Sequence, residues 1–116
     1  MAQANSINDI MNLINKKLTT DDPMGKNNSL THAEGDLRFW VFEGPVLSDL
    51  NDLRDALRSI NDIQYSYHVN QDKNDFAQWV EDVLHESELG RKLRNYRSRK
   101  SALKMIEVYL RKNYDI

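Results

Sequence analysis

The apolar residues of this chain recur three and four apart in short runs, and each run stops at a turn or a capping side chain. The clearest run is Val46, Leu47, Leu50, Leu53, Leu57 and Ile60, which predicts a helix over residues 45–60 with one apolar stripe. Pro45 suits the first turn, and Ser48 or Asp49 sets a hydroxyl or carboxylate near the open amide ends. A second short helix is predicted over 62–69, with Asn70-Gln71-Asp72-Lys73 as a turn. Asn74 or Asp75 caps a third from Phe76 to about His85, with Phe76, Trp79, Val80, Val83 and Leu84 inward. Ser87 caps the next, which carries Leu89, Leu93 and Tyr96. Ser98 starts the last, with Leu103, Ile106, Tyr109 and Leu110 inward. Stripes this narrow are buried only by packing on one another. The expected fold is therefore mainly α, a compact bundle of about five or six short helices.

One segment departs from helical spacing. Leu37 to Phe42 is rich in aromatic and branched residues and lies between Gly35 and Gly44-Pro45, which predicts a short extended segment near 37–43. No second strand is legible, so this one needs a strand from another chain or an irregular packing role. Upstream, Ile7, Ile10, Met11, Ile14 and Leu18 predict an N-terminal amphipathic helix within residues 1–18. Residues 19–36 hold Pro23, Gly25, Gly35 and few apolar side chains, and read as a flexible connector to a core domain at 37–116.

With 116 residues and 40% hydrophobic content, the chain supports one small core. It has no cysteine, which excludes disulfides, thiolate zinc sites and thiol catalysis. No apolar run approaches the ~20 residues of a membrane span. The opening residues lack the basic and apolar regions of a signal peptide, so a cytoplasmic location is expected.

Net charge is only -2, but the charge is sorted along the chain. Residues 43–90 hold eleven acids and three bases, whereas 91–112 hold nine bases and Glu107 alone as acid. The two blocks can neutralise each other within one fold or between copies. Otherwise the basic end meets an anionic partner. Arg91, Lys92, Arg94, Arg97, Arg99, Lys100 and Lys104 are the candidate nucleic-acid contacts, with Tyr96 among them. A helix–turn–helix reading takes residues 76–84 and 89–96 as its helices, against the repulsion of Glu81, Asp82, Glu86 and Glu88 just upstream.

The densest cluster of polar and aromatic groups is Tyr65 to Val80. His68 is placed to bond Asn74 or Asp75 across a turn, which makes His68, Asn70, Asn74, Asp75, Phe76 and Trp79 a structural motif. The competing reading is a general base or a ligand-binding imidazole at His68 with Asp75. No nucleophile, base and charge stabiliser are recognisable as a set. Glu81 and His85 share a helix spacing of four, but a stable metal site takes three or four ligands. The four glycines are isolated, so no phosphate-cradling loop is present. Neither metal nor cofactor is expected.

Phe42-Glu43-Gly44, Leu47, Leu50, Leu53, Ala56-Leu57, Tyr67-His68-Val69-Asn70, Lys73 to Val80, Val83-Leu84 and Glu88-Leu89 together resemble a small uncharacterised domain family of archaea and bacteria. The resemblance covers about residues 37–110, and its central motif is His-Val-Asn followed by Asn-Asp-Phe-Ala-x-Trp. It implies a compact cytoplasmic module and brings no assigned activity. Gly90 stands where that family tends to have alanine, and the N-terminal helix and connector are additions.

The expected function is a non-enzymatic binding or structural module. It contacts nucleic acid through residues 91–104, or self-assembles into a homo-oligomer or larger particle through the N-terminal helix. The alternative is a small-ligand receptor or enzyme centred on His68 and Asp75.

Overall fold

Five α-helices and a two-stranded ribbon lie among residues 29–116, which are the residues this computed structural model describes. In chain order they are β1 (Phe39–Trp40), β2 (Val46–Leu47), α1 (Leu50–Ser59), α2 (Asp62–His68), α3 (Asp75–Asp82), α4 (Ser87–Leu93) and α5 (Arg99–Tyr114). The fold is mainly helical, as the apolar stripes predict. The N-terminal helix at 1–18 and connector residues 19–28 lie outside the described residues. Leu30–Lys112 form one compact unit.

Capping side chains set most helix starts. Asp49 accepts from Asp52 N–H at 2.9 Å at the head of α1, while Ser48 N–H donates to the Asp52 carboxylate at 2.8 Å. Asn61 and Gln64 form a reciprocal capping box on α2. Asn74 accepts from Ala77 N–H at 2.9 Å on α3. Ser98 accepts from Ser101 N–H at 3.1 Å ahead of α5. Ser87 instead lies inside α4, where Glu86 holds the cap position without capping the helix through its side chain, its carboxylate instead accepting from the Tyr109 hydroxyl.

Two boundaries differ from those predicted. Val46 and Leu47 are a strand rather than the first turn of α1, and they pair antiparallel with β1 in the register Phe39↔Leu47 and Trp40↔Val46. The partner of the extended segment is thus within the same chain. Strands of two residues carry no readable alternation, and Val46-Leu47 fits a helical stripe equally well. Helix α3 ends at Asp82, and His85 takes a positive φ of 58° beyond it. Leu84 N–H reaches back five residues to Trp79 O, which closes the helix end.

The core is aliphatic around α1, α4 and α5 and aromatic beneath the ribbon. Leu47, Leu50, Leu53, Leu57, Leu84, Leu89, Leu93, Ile106 and Leu110 are all buried. Phe39 points from β1 onto the rings of Phe76 at 4.8 Å, His68 at 4.9 Å and Trp79 at 5.7 Å. Ala33 is also buried, and its N–H donates to Ser48 O at 2.7 Å. Within the expected connector Ala33 is therefore packed and tied to the residue that follows β2, whereas Glu34, Gly35 and Asp36 are exposed.

Candidate functional site

His68 sits at the last turn of α2 and is 5% exposed. Its Nε2 lies 3.0 Å from the backbone N–H of Phe42. A backbone N–H only donates, so Nε2 carries the lone pair and Nδ1 carries the proton. That proton is donated to Asp75 Oδ2 at 3.0 Å, and Lys73 Nζ approaches the same oxygen at 3.0 Å. Both ring nitrogens are therefore engaged. The imidazole ties the end of α2 to the start of α3 on one side and to the loop after β1 on the other.

The same loop is held a second time from α2. Gln64 Nε2 donates to Phe42 O and Glu43 O, both at 3.0 Å, while its Oε1 accepts from Asn61 N–H. Gln64 and His68 are one helical turn apart, which puts both on the loop-facing side. Glu43 in that loop has φ of 52°. A Cβ on the next residue, Gly44, would stand 3.0 Å from Gln64 Nε2 and from Val41 Cγ1. Phe42 stacks on Tyr67 at 4.3 Å with the planes 6° apart, and Lys73 Nζ lies 5.5 Å from the Tyr67 ring centre. Sequence reasoning missed Gln64 and the Phe42 N–H. The Asn61-x-x-Gln64 spacing is a capping-box signal that sequence reasoning left unread, and it carries no sign of the second grip.

The remaining motif residues hold turns and neighbours. Asn70 Oδ1 accepts from Asp72 N–H at 2.9 Å and Lys73 N–H at 3.2 Å, forming the turn between α2 and α3. Asn74 caps α3 and donates from Nδ2 to Leu93 O at 3.3 Å, reaching the end of α4. Phe76 and Trp79 are buried, and Trp79 Nε1–H donates to Leu37 O at 2.7 Å. Tyr65 is buried beside them, and burial pushes its hydroxyl up to about 12 from 10.0.

The basic segment divides into two sets. Arg94 pairs with Glu81 through Nε at 3.1 Å and Nη2 at 2.9 Å, and Nη2 also reaches Gln78 Oε1 at 3.1 Å. That bond holds the Glu81 carboxyl below its usual 4.5 and raises Arg94 further. Lys92 pairs with Glu88 at 3.3 Å. Arg99 is largely covered: Nη1 donates to Leu57 O at 2.7 Å near the end of α1, and Nε to Asp62 at 3.3 Å. Arg58 meets Glu107 at 3.0 Å. The pairs of Lys92, Arg94 and Arg99 join bases of the basic block to acids of the acidic block, so part of the charge split is neutralised inside the fold. Arg91, Arg97, Lys100 and Lys104 are exposed and have no ion-pair partner among the described residues.

Three of these four cations border two different concavities. Arg97 lines a small polar one of about 150 Å³ with Asn70, Gln71 and Lys73. Lys100 and Lys104 flank a groove of about 310 Å³ with Tyr96, Met105 and Val108. Tyr96, expected to pack inward with Leu93, is only half-buried, while Leu93 is buried. Among the described residues no group of three or more His, Asp or Glu side chains is arranged to hold a metal ion. Glu81 is held by Arg94 rather than facing His85, which lies past the helix end. No helix among the described residues is long and apolar enough to cross a membrane.

The chain matches no protein-family model, no curated protein and no solved structure.

Proposed function

We propose that this unit is a non-enzymatic binding module that contacts nucleic acid through the cations its own acids leave unpaired. The observation that carries the reading is the division of the basic segment. Lys92, Arg94 and Arg99 serve the fold, whereas Arg91, Arg97, Lys100 and Lys104 project without partners among the described residues. Four unpaired cations within fourteen residues make a local positive field on a chain whose net charge is -2. Each can neutralise one backbone phosphate and release a counterion.

The enzyme or receptor reading at His68 and Asp75 lacks such support. A general base needs a lone pair that a substrate proton can reach, and the His68 Nε2 lone pair already accepts from Phe42 N–H. Asp75 is shared between His68 and Lys73.

A salt titration of binding to an RNA oligonucleotide tests the proposal. Four phosphate contacts give a slope of about -3 in log affinity against log salt. Arg91→Glu with Arg97→Glu and Lys104→Glu should abolish most binding. No binding at low salt, or an undiminished affinity in the triple variant, would end the reading.

A further inference from the structure

The outward side of α5 is mixed in character. Lys100, Lys104 and Val108 follow at intervals of four, as do Ser101 and Met105, so two adjacent rows run along one side. With Tyr96 these residues line the groove of about 310 Å³, at the lower end of the ~300–1,000 Å³ range of ligand clefts. Its apolar part is the Tyr96 ring, Met105 and Val108, and Val108 is 39% exposed. Its charged part is the two ammonium groups. Ser101 Oγ accepts the hydroxyl proton of Ser98 at 2.8 Å and keeps its own proton to donate.

Building on the nucleic-acid reading above, we propose that this groove seats an unpaired base of single-stranded RNA. The base stacks on Tyr96 against Met105 and Val108. Lys100 and Lys104 meet the flanking phosphates, and Ser101 donates to a 2′-hydroxyl. An aromatic ring between cations is how single strands are held, because every base has a face to stack while the phosphates supply the salt-sensitive attraction. A duplex hides those faces. The helix that would enter a duplex groove, α4, has only seven residues, and its neighbouring cations Lys92 and Arg94 are bound to Glu88 and Glu81. The 2′-hydroxyl is the group by which a protein separates RNA from DNA.

Fluorescence anisotropy with a labelled oligouridylate, its deoxy counterpart and a duplex RNA of equal length tests this on the full chain. The oligouridylate should bind best. Tyr96→Ala should weaken it about tenfold and Tyr96→Phe should not, since stacking survives in phenylalanine. Met105→Glu, at a half-buried position, should weaken it as well and guards against a Tyr96→Ala variant that fails to fold. Equal affinity for the duplex, or Tyr96→Ala and Met105→Glu that bind like the parent while Lys100→Gln/Lys104→Gln weakens, would overturn the base seat and leave the nucleic-acid reading intact. Equal affinity for the deoxy strand would overturn the RNA assignment. No binding to any of the three would overturn both readings.

Discussion

Replacing His68 separates a structural imidazole from a reactive one. In His68→Phe the ring volume is nearly kept, but the Phe42 N–H loses its acceptor at 3.0 Å and Asp75 loses one of its two donors, keeping Lys73. An unsatisfied, partly buried N–H costs about 1–3 kcal/mol. Taking ~2 kcal/mol, and ~4–8 °C per kcal/mol for a domain of this size, the melting temperature should fall by roughly 10 °C. His68→Ala also removes ring contacts with Phe39, Phe76 and Tyr67, at 4.9, 5.2 and 5.0 Å. Truncating a buried ring costs about 3–5 kcal/mol, so that variant should melt roughly 20 °C lower or fail to fold. Asp75→Asn is the control. Its remaining carbonyl oxygen still accepts from Nδ1, and its half-exposed pairing with Lys73 contributes no more than about 1 kcal/mol. Thermal melts followed by circular dichroism measure all three. Nitrogen NMR of the histidine ring should find the proton on Nδ1 and none on Nε2. If both His68 variants melt within ~2 °C of the parent, or if Asp75→Asn is as damaging as His68→Ala, the clamp is wrong.

Gly90 and Tyr65 give two further tests. A Cβ on Gly90 would stand 2.2 Å from Glu81 Cγ, so Gly90→Ala should displace the partner of Arg94 and lower the unfolding free energy measured in urea by about 1–3 kcal/mol, despite the better helix propensity of alanine. The loss should disappear in a Glu81→Ala background, and a stabilised single variant would refute the packing argument. For Tyr65, the folded state keeps its proton to about pH 12 and the unfolded state releases it near 10.0. Stability should therefore fall as pH rises through that window, and Tyr65→Phe should lack this part of the fall in pH-dependent denaturation; identical alkaline profiles would refute it.

The helices were legible because their signals are local. The stripe of Leu50, Leu53 and Leu57 and the caps at Asp49, Asn74 and Ser98 involve residues within a turn or two of each other. The motif His68–Asp75 was also legible, since only a short turn separates its members. The second strand was not. Two residues fix no period, and only the pairing of Val46-Leu47 with Phe39-Trp40 made them a strand.

What the sequence determined, then, is that the chain forms short helices, where several of their caps fall, which apolar stripes they bury and where the charge lies. What only the tertiary structure decided is which polar groups remain available. His68 Nε2 finds its donor 26 residues away, and Arg99 finds Leu57 O 42 residues away. Arg94 closes on Glu81 only because α3 and α4 pack side by side. A cation's charge is written in the sequence. Whether that charge is already satisfied depends on which distant atoms packing brings within about 3 Å, and no local pattern encodes that.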